Sequence, residues 1–130
     1  MHHTPCGGFL DAHLDCDRHP RTGFRRAVNV ILFFDDFVPA DGGALRFWRP
    51  DLSTPAIEVF PRANRLVAFE CGDVSYHSVS ESRKPRNSLA VYWWEPEILS
   101  VAKRPRALFV ATRDETPDPA KEAWRKDRAQ

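Results

Sequence analysis

Short apolar runs separated by turn chemistry dominate the chain. "AVNVILFF" (27–34) is nearly continuous and rich in β-branched and aromatic residues, the pattern of a strand covered on both faces. "ALRFW" (44–48) and "AIEVF" (56–60) alternate apolar with polar residues, as half-buried strands do. "RLVAFE" (65–70), "SYHSVS" (75–80) and "NSLAVYWW" (87–94) complete the series. Pro39 with Asp41-Gly42-Gly43, Pro61 with Asn64, and the loops "RPDLSTP", "CGDV" and "ESRKPR" lie between them, all turn formers. Strands recurring at roughly ten-residue intervals predict a sandwich or barrel. No long amphipathic helix pattern interrupts them, which argues against a parallel α/β sheet.

After Trp94 the pattern changes. Residues 1–95 read as the core and residues 96–130 as an extension that packs partly on it. Within the extension, "PDPAKEAWRKDRAQ" (117–130) predicts a short exposed helix, capped by Asp118 with Pro119 at its first position.

A length of 130 residues suits one domain. Eleven prolines and nine phenylalanines strengthen the reading of a turn-rich β domain. A net charge of +1 gives no reason to expect nucleic acid or an anionic membrane as partner. No apolar run approaches the roughly 20 residues that span a bilayer. The first residues, "MHHTPCGGFL", lack the basic flank and apolar stretch of a signal peptide, so a cytoplasmic location is expected. Cys6, Cys16 and Cys71 have no CxxC spacing and read as reduced thiols.

Candidate chemistry begins in "DAHLDCDRHP" (11–20). On an extended segment His13 and Asp15 point to one face and can reach one metal ion, with Leu14 turned away. Asp17 and His19 read as loop residues, and His2 and His3 as disordered rather than ligating. His77 lies in a predicted strand. Two histidines and a carboxylate on separate strands form the facial set of non-haem Fe(II) oxygenases. Taken singly, HxD is equally a polar turn and His77 a hydrogen-bonded strand histidine. Arg86 opens the next strand with Ser88 on its face. A guanidinium and a hydroxyl there can grip a carboxylate, although any one arginine of "SRKPR" is equally a surface residue.

The order HxD, strand, "DGGALRFW", "IEVFPRANRLVAFE", His77, "RNS" resembles the Fe(II)- and 2-oxoglutarate-dependent dioxygenases, in their prolyl 4-hydroxylase-like branch. The resemblance covers roughly residues 7–95. It implies a mainly β fold, the double-stranded β-helix or jelly-roll sandwich. It implies Fe(II) on His13, Asp15 and His77, with Arg86 and Ser88 on the far carboxylate of 2-oxoglutarate. O₂ is then the oxidant, and ascorbate a stimulant. The implied reaction hydroxylates an unactivated C–H bond of a prolyl or other amino-acid residue, or of a small molecule, with 2-oxoglutarate decarboxylated to succinate. Retention of Asp15 favours hydroxylation over halogenation.

Two departures from the family pattern carry expectations of their own. Phe33 stands where many members carry a tyrosine whose hydroxyl helps hold the cosubstrate. HxD begins at residue 13, where family domains place a strand and supporting helices earlier. Apolar sheet surface is therefore expected to be exposed, or to be covered by the C-terminal extension, by a second copy of the chain or by a partner chain. A chain cut from a longer protein is a further reading. The departures keep open a truncated or degenerate, non-catalytic jelly-roll module that binds metal or a partner. A cupin-like metal protein that does not use 2-oxoglutarate is another alternative. The loop "DCDRHPRTGFRR" (15–26) offers Arg18, Arg21, Arg25 and Arg26 to an acidic substrate at the site mouth, or is simply solvated.

Overall fold

The structure is a computed structural model that describes residues 1–96, 104 and 106–129. The described strands are β1 (His2–Thr4), β2 (Leu10–Leu14), β3 (Arg25–Phe33), β4 (Leu45–Trp48), β5 (Pro55–Val59), β6 (Leu66–Glu70), β7 (His77–Val79), β8 (Arg86–Glu95) and β9 (Leu108–Phe109). One helix, α1 (Pro119–Ala129), follows. The strands form two sheets, ordered β1-β8-β3-β6 and β5-β4-β7-β2-β9. All pairings are antiparallel. The fold is a jelly-roll sandwich, as the sequence pattern and the resemblance imply.

Register explains what each sheet buries. On the four-stranded sheet, Val67–Ile31–Ala90 and Phe69–Asn29–Tyr92 run across β6, β3 and β8 as neighbouring rows, and successive rows on one face are two residues apart. They face the second sheet, where Leu45 and Val79 meet Ile31 and Phe33 in the core. The alternate rows, Leu66–Leu32–Leu89 and Ala68–Val30–Val91, face outward. Trp93 beside them is 68% exposed and Leu66 59%. Expected coverage of both faces of β3 is therefore not met among the described residues. The near-continuous apolar run is real, but its outer positions are only half-buried. Trp93, within the apolar run of β8, lies on this outer face.

Further local differences follow from pairing. His2 and His3, read as disordered, pair with Ser88 and Asn87 as β1. His3 Nδ1 lies 2.8 Å from Asn87 Oδ1. The predicted C-terminal helix forms, and Asp118 Oδ1 accepts from the amides of Ala120 and Lys121 at 2.9 and 3.3 Å, satisfying donors that a helix start leaves free. It is not a fully exposed helix. Arg125 is buried and Trp124 packs on Phe109. The first part of the extension (97–103 and 105) lies outside the described residues.

Gly42 and Gly43 connect the fold to the site. Gly42 has φ 68°, and a Cβ there would stand 2.0 Å from the Glu81 carbonyl oxygen. Only glycine permits both this conformation and this approach. The close passage lets the Gly43 amide donate to Glu81 O at 3.0 Å. It also aims the Gly43 carbonyl at the Arg86 side chain.

Candidate metal centre and cosubstrate pocket

His13 and His77 are direct cross-strand neighbours on β2 and β7. Their row continues to Phe47 on one side and Phe109 on the other. Both imidazoles are buried, with centroids 4.2 Å apart. His13 Nδ1 lies 2.8 Å from the Asp11 carbonyl, and His77 Nδ1 2.9 Å from the Ser75 carbonyl. A carbonyl only accepts, so each Nδ1 carries a proton, and each Nε2 is the ring nitrogen turned toward the centre. This is how histidine ligands are oriented before a metal arrives. Burial, helped by neighbouring His77, pushes His13 down to about 4, against the raising pull of the Asp11 carbonyl and the Asp15 and Asp11 charges. Its imidazole is therefore neutral, the ligating form, at pH 7.

Asp15 follows immediately after β2 and completes the group. Its Oδ1 stands 3.7 Å from His13 Nε2 and 3.9 Å from His77 Nε2. Its other oxygen, Oδ2, is held by Asn29 Nδ2 at 3.0 Å and Arg26 Nη1 at 3.2 Å. One oxygen is thus tied back to β3 and the other left to the centre. The three ligand atoms all lie within 4.8 Å of one another. Arg26 is itself fixed by the faces of Tyr92 and Trp94, at 3.8 and 4.9 Å from their ring centroids.

Arg86 lines the same cavity, of about 230 Å³, together with Ser88, Asn29 and Tyr92. It is 3% exposed. Its Nε donates to Gly43 O at 3.0 Å, and its Nη1 to Ser88 Oγ at 3.3 Å. The Phe33 ring lies beneath the guanidinium at 5.1 Å. Burial lowers the Arg86 pKa, partly offset by Asp35, yet a guanidinium stays charged in proteins. Among the described residues no carboxylate comes within ion-pair distance of it. A buried cation without an anion is costly, so the pocket is suited to an anionic guest.

Comparison with known proteins agrees with this geometry. The profile of the 2OG-Fe(II) oxygenase superfamily matches residues 1–94. The chain belongs to the 2OG-Fe(II) oxygenase superfamily. Prolyl 3-hydroxylase 3 from Mus musculus and from Homo sapiens are each 35% identical over 86 residues. That segment is 64% of this chain and 11% of those longer proteins. A prolyl-4-hydroxylase from Pseudomonas putida superposes with a TM-score of 0.56 at 33% identity, covering 73% of this chain and 48% of that one. A prolyl 4-hydroxylase from Phytophthora capsici gives 0.56 at 27% identity, covering 69% and 29%. The chain thus spans less than half of each of these relatives.

Members of this superfamily use Fe(II), and the residues present suit that metal. Two imidazole nitrogens and one carboxylate oxygen gathered in one buried group fit Fe(II). The buried Arg86, with no carboxylate in ion-pair reach among the described residues, fits a dicarboxylate. Arg18 and Arg25 are placed elsewhere. They border a separate depression near Asp17, Asp73 and Arg104, where Arg25 pairs with Glu95. Asp17 and His19 are loop residues; Asp17 exchanges backbone hydrogen bonds with Arg104 and Arg26. Glu70 lies on the outer sheet face opposite Val28, and Asp73 pairs with Arg104. Cys71 is buried, desolvation with the nearby Asp15 charge pushes its thiol up to about 11, and it lies outside the His13–Asp15–His77 group. Arg26, expected in a substrate-facing loop, instead turns inward to Asp15, and Asn29 is a functional side chain that the sequence pattern concealed. The strand period offers a signal for Asn29, which sits at i−2 from Ile31 and so on the buried face. No partner is visible for it in sequence alone.

Proposed function

We propose that this protein is an Fe(II)- and 2-oxoglutarate-dependent dioxygenase that hydroxylates an unactivated C–H bond, with 2-oxoglutarate converted to succinate and CO₂. One observation carries the reading. A tautomer-fixed His–Asp–His set and a buried arginine lacking a carboxylate line one cavity. When bound, iron supplies the activation of O₂ that organic side chains lack. The residues of the chain do the rest. His13, Asp15 and His77 hold the metal from one side. Asn29 and Arg26 keep Asp15 turned so that one oxygen faces it. Arg86 and Ser88 take the distal carboxylate of the cosubstrate. Phe33, in place of a hydroxyl-bearing ring, packs beneath the guanidinium and contributes a cation–π contact where a hydrogen bond is absent. Phe47, Phe69 and Phe109 pack against the imidazoles and hold their rings in place.

The names of the relatives make a prolyl residue the first substrate to try, with other amino-acid residues and small molecules next. Turnover tests the proposal. With Fe(II), 2-oxoglutarate and air, the protein is expected to form succinate in step with O₂ consumption, more slowly without a prime substrate. Ascorbate is expected to prolong activity. Metal binding without any succinate would favour the non-catalytic jelly-roll module, for which Phe33 is the supporting observation.

A further inference from the structure

His77 and His13 are supported differently. His77 sits inside its sheet, between β4 and β2, with Phe69 of the opposite sheet edge-on at 4.9 Å. His13 lies on β2, whose outer neighbour is the two-residue strand β9. Without β9, β2 would be a sheet edge. The register places Phe109 directly opposite His13, and the two rings stack at 5.1 Å and 29°. Trp124 of α1 backs Phe109 at 5.0 Å. The Val110 amide donates to Ala12 O at 2.9 Å, closing the pairing on the other side of the ligand.

The carbonyl that fixes the His13 tautomer belongs to Asp11, and α1 holds the Asp11 side chain. Lys121 Nζ lies 2.9 Å from Asp11 Oδ1, and Arg125 Nη2 3.8 Å from Oδ2. Glu115 bridges the same two cations at 3.0 and 2.7 Å. Glu122 meets Arg125 Nη1 at 2.6 Å. The Arg125 side chain is 5% exposed, so this network differs from a loose surface pair of little worth.

We propose that the C-terminal segment, residues 108–129, is a positioning element for His13. Arg125 and Lys121 anchor Asp11, and the Asp11 carbonyl and the Phe109 ring together set the angle and tautomer of the imidazole. The inference rests on the reading of His13 as a metal ligand. It adds Arg125, Lys121, Asp11 and Phe109 as positioning residues, outside the matched family region for all but Asp11. Loss of partners that orient a ligand typically lowers metal affinity about 10–100-fold.

The sign of the effect separates positioning from simple charge. Removing a cation near a divalent metal ion tightens binding by electrostatics alone. Positioning predicts the opposite. Co(II) titration of the full 130-residue chain, wild type against Arg125→Met, is expected to show affinity weakened roughly 10-fold or more. Arg125→Lys should recover most of it. Lys126→Met, a matched charge loss on the exposed side of α1, should leave affinity within about twofold. Phe109→Leu, which removes the stack and spares the ion pairs, should weaken binding several-fold and serves where Arg125→Met folds poorly. A second readout needs no metal. At pH 8, ¹⁵N shifts of His13 should report one tautomer protonated at Nδ1 in wild type and a mixture in Arg125→Met. Unchanged or tighter Co(II) binding by folded Arg125→Met and Phe109→Leu, with the tautomer intact, would overturn the proposal. If wild-type protein binds no Co(II), the metal reading fails, and the tautomer measurement still decides whether the segment positions His13.

Discussion

Asp15→Ala and His77→Ala are each expected to abolish measurable Fe(II) binding and all turnover, yet to differ in stability. Loss of one ligand from a three-ligand set should weaken metal affinity on the order of 100-fold or more, beyond what loss of a supporting partner does. The stability difference comes from what each residue leaves behind. His77 gives up a hydrogen bond to a carbonyl and some packing. Asp15 leaves Arg26, which is 8% exposed, as a buried cation without its carboxylate. It also leaves Asn29 with an unpaired amide beside an Oδ1 that already lacks a partner. Breaking a buried pair by removing one member costs about 3–5 kcal/mol. Metal-free Asp15→Ala should therefore melt well below wild type, and His77→Ala only slightly below it. Thermal unfolding of chelator-treated proteins measures this. Equal melting temperatures would show that the Arg26–Asp15–Asn29 contacts do not carry the weight given to them here.

Arg86→Met should weaken cosubstrate binding severely while sparing both metal and fold. A carboxylate held by two charge-assisted hydrogen bonds gains about 1.5–3 kcal/mol from each. Their loss corresponds to 2-oxoglutarate affinity weakened about 100-fold or more. Methionine fills much of the same space over Phe33 without a buried charge, and such exchanges are often neutral or stabilising. The expected signature is thus a selective one. Co(II) affinity stays at the wild-type level, the melting temperature holds, and the 2-oxoglutarate requirement rises steeply. Arg86→Lys should restore only part of the affinity, because an ammonium cannot form the two-pronged contact. Unchanged 2-oxoglutarate dependence in Arg86→Met would favour the cupin-like alternative, in which the ligands serve a metal alone.

The sequence made the centre legible where short-range geometry suffices. His13 and Asp15 are two residues apart on extended backbone, and His77 and Arg86, in recognisable strands, join them through the motif order that resembles the dioxygenase family. What it concealed depends on pairing across long separations. Asn29 and Arg26 reach Asp15 only because β3 passes behind the end of β2, and "FRRAVNV" gives no sign of which arginine turns inward. β1 and β9 are three and two residues long, too short for an alternation pattern to register. The docking of α1 was hidden for a related reason. Beside Trp124, its inward contacts are made by Lys121 and Arg125, charged residues that a binary pattern assigns to solvent. Trp93 shows the converse case, an aromatic residue in an apolar run that faces outward because register, not composition, decides the side.

The most direct test of the central claim is anaerobic titration of the metal-free protein with Fe(II) and then 2-oxoglutarate, followed in the visible range. The account predicts a weak charge-transfer band that appears only when both are present and saturates at one equivalent of each. The band should be absent in His77→Ala and lost at moderate 2-oxoglutarate in Arg86→Met. A folded, iron-loaded protein that gives no band at saturating 2-oxoglutarate would contradict the account.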